Sequence, residues 1–115
     1  MKIIRFEDIV AWQKAQDLAV DIHRVMNHHN DYDFKRQILR ATISISNNIA
    51  EGFDRSSNLD FKRFLYISLA SNSEVRSMLY LAYRLEYISE NDRDALIQQT
   101  IEISKILNGF IASLK

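Results

Sequence analysis

Between residues 35 and 76 stand seven bases (Lys35, Arg36, Arg40, Arg55, Lys62, Arg63 and Arg76) against four acids (Glu51, Asp54, Asp60 and Glu74). The flanks lean the other way: residues 1–34 hold four bases and six acids, residues 77–115 four and five. The chain as a whole has no net charge, so its positive surplus of three is confined to the middle. Bases recruit anions, and the planar guanidinium matches phosphate oxygens in pairs. Arg40, Arg55, Lys62 and Arg63 are therefore the candidate contacts for a phosphate-bearing partner. A solvated charged face accounts for the same count equally well.

Other chemistry is poorly provided for. The only histidines are His23, His28 and His29, and none forms an i, i+4 ligand pair with a carboxylate between. The adjacent pair His28-His29 suits a helix end, where positive charge meets the dipole. No Glu-x-x-His motif is present, so a di-iron bundle is excluded. There are no cysteines, hence no thiolate metal site, cysteine nucleophile or disulfide framework. With two glycines, Gly52 and Gly109, no glycine-rich phosphate loop can be assembled. The expectation is a protein that is not an enzyme and holds no metal or cofactor.

Two further groups have a bland and a functional reading. Asn48, Glu51 and Arg55 fall at helical steps of three and four, and Arg40 and Ser44 continue roughly that face. They form either a polar layer that pins helix register, with Glu51 or Glu74 meeting an arginine, or part of a phosphate-binding surface. Acids repel phosphates, which favours the structural role for Asn48, Glu51 and Glu74. Phe61, Phe64 and Tyr66, then Tyr80, Tyr83 and Tyr87, cover more than one side of a single helix. Tyrosines so placed suit an oligomer or protein interface, and as scattered surface residues they need no explanation. The interleaved run Lys62-Arg63-Phe64-Leu65-Tyr66 has the composition of a single-strand stacking surface, although Phe64 and Leu65 also sit at core spacing.

Four amphipathic segments must position these residues. The first runs from about Phe6 to His28 with Ile9, Trp12, Ala15, Ala19, Ile22 and Met26 on its stripe, then gives way to a loop at His28–Asp31. The second spans about Phe34 to Phe53, with Ile38, Ala41, Ile45 and Ile49 in line and Gly52 placed as a C-terminal cap. Thr42, Ser44, Ser46, Asn47 and Asn48 interrupt it, although all compete for backbone hydrogen bonds. The third opens at the capping pattern Ser57-Asn58-Leu59-Asp60 and carries its stripe to Leu85, nearly 30 residues or about 45 Å. Small polar residues occupy its middle, at Ala70–Glu74. The fourth begins at Ser89-Glu90-Asn91-Asp92 and runs through Leu96, Ile97, Ile101, Leu107 and Ile111 to Leu114. Short connections favour an antiparallel up-down-up-down four-helix bundle, an all-α fold.

The totals agree with one domain over residues 1–115: 47% hydrophobic, 26% charged, six Phe, five Tyr, one Trp and no proline. The opening from Met1 to Asp8 turns acidic too early for a signal peptide, and no apolar run reaches the roughly 20 residues of a membrane span. A cytoplasmic protein with no membrane partner is expected.

Taken together, the motifs resemble those of the bacterial proteins encoded in intervening sequences of 23S ribosomal RNA genes. Phe6-Glu7-Asp8-Ile9-Val10-Ala11-Trp12-Gln13-Lys14-Ala15 resembles the family's opening Phe-x-Asp-Leu-x-Val-Trp-Gln-Lys-Ala. Gln37-Ile38-Leu39-Arg40-Ala41 and Ser44-Ile45-Ser46-Asn47-Asn48-Ile49-Ala50-Glu51-Gly52 resemble its Gln-Ile-x-Arg-Ala and Ser-Ile-Pro-x-Asn-Ile-Ala-Glu-Gly. Phe61–Ile67 resembles the start of its third helix, and Glu74 falls on its glutamate. Ser46 replaces the family's proline, which predicts a straighter second helix. Ala70-Ser71 and Arg76-Ser77 replace its Gly-Ser and Glu-Thr. The resemblance implies a four-helix bundle assembling into a ring, commonly a pentamer, without enzymatic activity. The chain is also similar to the accessory variability protein of diversity-generating retroelements, a basic pentameric barrel that binds nucleic acid and a reverse transcriptase. The implied function is an oligomeric bundle binding RNA or a ribonucleoprotein around the junction of helices two and three. The alternative is an adaptor ring presenting a protein-binding surface.

Overall fold

Three side-chain caps fix where helices begin. Asp31 accepts a hydrogen bond from the Phe34 N–H, Ser57 from Asp60 and Ser89 from Asp92. Each satisfies a donor that the first helical turn leaves orphaned, an effect of about 1 kcal/mol. In the computed structural model, which describes residues 2–115 and leaves Met1 outside, these caps precede α2 (Tyr32–Phe53), α3 (Asn58–Arg84) and α4 (Glu90–Ser113). Helix α1 covers Val10–Met26 and starts without a side-chain cap. The expected start at Phe6 is instead a separate 3-10 turn, Phe6–Asp8. Extended backbone at Ile9 breaks the helix there and lets Phe6 fold edge-on against Trp12, 5.3 Å between ring centres.

The helices form a square. α1 packs on α2 and α4, α3 packs on the same two, and the remaining pairs lie diagonally. Cross-links at opposite ends establish the up-down-up-down course. At one end Tyr87, after α3, donates to Asp31, after α1 (2.7 Å). At the other, the Asn58 amide at the start of α3 donates to the main-chain oxygen of Lys115, beyond α4 (3.2 Å). The long axis measures 44 Å, close to the length of the 27-residue α3. Among the described residues there is no strand.

The core follows the helical stripes with one shift. On α1 it runs through Ala11, Ala15, Leu18, Ile22 and Met26, so Leu18 and Ala11 replace Ala19 and Trp12, which are half-buried. Ile38, Ile45 and Ile49 of α2, Leu65, Val75 and Leu79 of α3 and Ile103 and Leu107 of α4 complete the same core. α2 runs unbroken through Ser46.

Of the polar residues in the middle of α2 and α3, Ser44, Ser68 and Ser71 bond across the seam between the two helices and the others turn elsewhere. Ser68 is fully buried and donates to the Ile45 carbonyl (2.8 Å), and Ser71 donates to the Ser44 hydroxyl (3.0 Å). Thr42 turns its hydroxyl back onto the Ile38 carbonyl, while Ser46 accepts from Gln16 of α1 (3.0 Å). Asn72 donates across to the Thr100 carbonyl of α4 (2.8 Å), and its own side-chain oxygen is buried without a partner. Small side chains let the backbones approach, and the hydroxyls of Thr42, Ser46, Ser68, Ser71 and Thr100 each find an acceptor.

Gly52 is not a cap. It lies within α2, buried and without positive φ. A β-carbon there would stand 2.6 Å from the Phe64 Cβ and 2.9 Å from the Phe61 ring. The residue is a glycine because α3 crosses at that point. The end of α3 at Arg84, with Leu85 as its C-cap, agrees with the expected stripe but leaves Tyr87 beyond the helix. Glu86 adopts φ 63°, and the Glu86 and Tyr87 amides bond back to Tyr83 and Ala82. This left-handed closure is usually occupied by glycine.

Candidate nucleic-acid interface

The junction of α2 and α3 follows directly from Gly52. With no side chain at that position, Phe64 seats itself against the end of α2. The Arg55 amide bonds back to the Gly52 carbonyl (3.1 Å), which returns the chain toward α3. Arg55 thereby lays its guanidinium over the Phe64 ring at 4.6 Å, and Arg63 approaches the same ring at 5.5 Å. Such contacts contribute about 0.5–1 kcal/mol at exposed sites, enough to orient a guanidinium without removing it from water. The two arginines differ in charge balance. Arg63 is paired with Asp60 at 2.7 Å, whereas Arg55 and the neighbouring half-buried Lys62 enter no ion pair among the described residues.

Arg40 does not join this cluster. It lies 13 positions before Phe53 on α2, about 20 Å along the axis. There it lines a shallow groove of about 530 Å³ with Arg36, Leu39, Ile43, Asn47 and Glu51. The structure thus brings Arg55 and Arg63 onto one ring, leaves Lys62 beside Arg63 only in chain order, and puts Arg40 on a separate surface, itself free of ion pairs among the described residues.

The remaining candidates divide. Asn48 is half-buried, donates within α2 to both the carbonyl and the hydroxyl of Ser44 (2.8 and 2.9 Å), and lines the same groove as Arg40 and Glu51. Glu51 and Glu74 are exposed, so within one chain they belong to no buried polar layer. That layer is made instead by Thr42, Ser46, Ser68, Asn72 and Thr100. Spacing singles out the hydroxyl residues of α2 but does not supply the partners of Ser44 and Ser46, Ser71 on α3 and Gln16 on α1.

The three tyrosines do not share one face. Tyr80 is exposed. Tyr83 carries the Arg93 guanidinium at 4.2 Å. Tyr87 lies beyond α3 and turns inward, its ring against His29 (3.7 Å) and Phe34 (5.3 Å). Its bond to Asp31, reinforced by the Phe34 N–H, holds that carboxyl below the usual carboxylate range. The same bond, together with burial, pushes the Tyr87 phenol up. His29 completes the cluster by accepting from the Asp31 amide through Nδ1 (3.0 Å). These ties belong to the end of the bundle away from Arg55.

Among the described residues no group of three or more His, Asp or Glu side chains is arranged to hold a metal ion. No helix among them is long and apolar enough to cross a membrane.

Residues 7–109 match the family described as 23S rRNA-intervening sequence protein. The chain belongs to this family. A solved structure gives independent support: a protein of unknown function from the S23 ribosomal protein family of Bacteroides thetaiotaomicron VPI-5482. It is 30% identical, superposes with a TM-score of 0.84, and the match covers 90% of this chain and 100% of that one. No curated protein matches the chain. Membership of the 23S rRNA-intervening sequence family and the four-helix architecture therefore agree, and no catalytic family is indicated.

Proposed function

We propose that this protein is a non-enzymatic oligomeric bundle that binds RNA or a ribonucleoprotein through the surface at the α2–α3 junction. The observation that carries the reading is that Arg55 and Lys62 have no carboxylate partner among the described residues, with the Arg55 guanidinium over the Phe64 ring. A cation pre-oriented in this way loses little freedom on meeting a phosphate. A single chain with zero net charge offers few such contacts, and repetition of the junction around an oligomer multiplies them.

The test is Arg55→Glu/Lys62→Glu/Arg63→Glu, titrated with single-stranded RNA over a range of salt. Loss of affinity is expected, with the salt slope shallower by about 2, since each released phosphate contact contributes about 0.7 for single strands. An unchanged slope would show that RNA, if bound, is held elsewhere.

A second reading, an adaptor that presents a protein-binding surface, is favoured by the outward side of α3. Tyr66, Ile67, Tyr80 and Leu81 are exposed there, and tyrosine and aliphatic area of this kind suits an interface. Of the three tyrosines first considered for it, only Tyr80 is wholly free of the intramolecular contacts made by Tyr83 and Tyr87.

A further inference from the structure

At the end of the bundle that carries Arg55, the N-terminal segment, the α2–α3 connection and the last turn of α4 leave an open cleft of about 520 Å³ between them. Clefts that take small molecules span about 300–1,000 Å³. The floor is aromatic: Phe61 meets Phe53 at 6.0 Å and Phe110 at 5.5 Å, both edge to face. Phe61 is buried, whereas Phe53 and Phe110 are half-buried and line the opening. The rim is cationic, with Lys2 and Arg55, and neither is in an ion pair among the described residues. No carboxylate side chain lines the cleft among those residues.

An aromatic floor selects a flat π-faced body, and two cations outside any ion pair among the described residues select an anion. A sugar-linked base and phosphate join the two. We infer that this cleft takes a nucleoside monophosphate unit, its base against Phe53 and Phe110 and its phosphate at Lys2 and Arg55. The unit is supplied either by a phosphorylated end of an RNA strand, which rests on the RNA-binding reading above, or by a free mononucleotide, which does not.

The cleft and the outer surface share only Arg55, so variants separate them. Lys2→Glu and Ser113→Trp alter the cleft alone, since Ser113 lines it from the exposed last position of α4. Lys62→Glu and Arg63→Glu alter the outer surface alone. The probes are adenosine monophosphate, adenosine, and one short single-stranded RNA prepared with a phosphorylated end, with hydroxyl ends and as a circle. Adenosine monophosphate is expected to move the ring resonances of Phe53, Phe61 and Phe110. Adenosine should bind about tenfold more weakly, the loss expected when a charged hydrogen-bonding group is removed. Both cleft variants, checked for folding by thermal melting, abolish this difference, and the outer-surface variants preserve it. Displacement of adenosine monophosphate by the phosphorylated linear RNA, but not by the circle, identifies the strand end as the source. Binding of adenosine monophosphate without such displacement identifies the free mononucleotide. Ring resonances that ignore adenosine monophosphate, or answer equally to adenosine, overturn the assignment while leaving RNA binding at the outer surface to its own test.

Discussion

A methyl group added at position 52 would collide with Phe64 and Phe61, whereas one added at position 109 would meet nothing within 4 Å. The same substitution should therefore have opposite signs at the two glycines. Gly52→Ala is expected to destabilise by about 1–3 kcal/mol, the range for overpacking a closed contact. Gly109→Ala, on an open stretch of α4, should stabilise by about 0.5–1 kcal/mol through helix propensity. Denaturant titration reads both, and a stabilised Gly52→Ala would disprove the close crossing of α2 and α3. This difference was not legible in the sequence. A glycine near the end of an apolar stripe looks like a cap, and the reason for Gly52 lies on another helix. Glu86 gives the converse case: no glycine marks the left-handed turn, so the sequence reading counts Tyr87 among the side chains of α3.

The two serine-capped starts were legible, whereas the start of α1 and the closure after α3 were not. Ser57 and Ser89 announced their helices because a cap acts over three residues of one strand of chain. The end of α3 depends on Tyr87 reaching Asp31, 56 positions away, which no local pattern contains. That tie has a pH signature. The Asp31 carboxyl lies below its ordinary range, so its contribution to stability is present above about pH 4, the unfolded value, and is lost as pH falls through the lowered one. The Tyr87 phenol is raised, so its contribution is present below about pH 10 and is lost as pH rises through the raised value. Tyr87→Phe should move the Asp31 midpoint upward, stopping short of the unfolded value because the Phe34 amide remains. Carboxyl-carbon NMR titration measures it, and an unmoved midpoint would mean that the hydroxyl does not bind Asp31 in solution. Thr42, Ser44 and Ser46 are conspicuous in the sequence as poor helix formers, but that Ser71 meets Ser44, that Gln16 of α1 meets Ser46 and that Ser68 meets the Ile45 carbonyl follows only once the helices are packed.

At the scale of the whole molecule, the charge surplus of the middle segment was legible but its distribution was not. Folding divides it, placing Arg55 and Lys62 at one end, Arg40 about 20 Å away, and neutralising Arg63 through Asp60. Assembly is the property that would gather such dispersed charges, and the exposed apolar side chains along α3 are suited to support it. Light scattering on nucleic-acid-free protein should return a multiple of the 13.5 kDa chain mass that survives high salt. A particle of one chain mass would remove the assembly from the proposal while leaving the bundle intact.

The square arrangement of helices also bears on how the chain reaches its fold. Three of the four packed pairs are consecutive helices joined by only four or five residues, and α1 against α4 is the single contact that spans the sequence. Closing short loops costs little chain entropy, and proteins dominated by such local contacts fold in microseconds to milliseconds. Helical hairpins can therefore form first, leaving the docking of α1 on α4, through Lys14 with Glu102 and Asp21 with Gln99, as the one step that pays for a long closure.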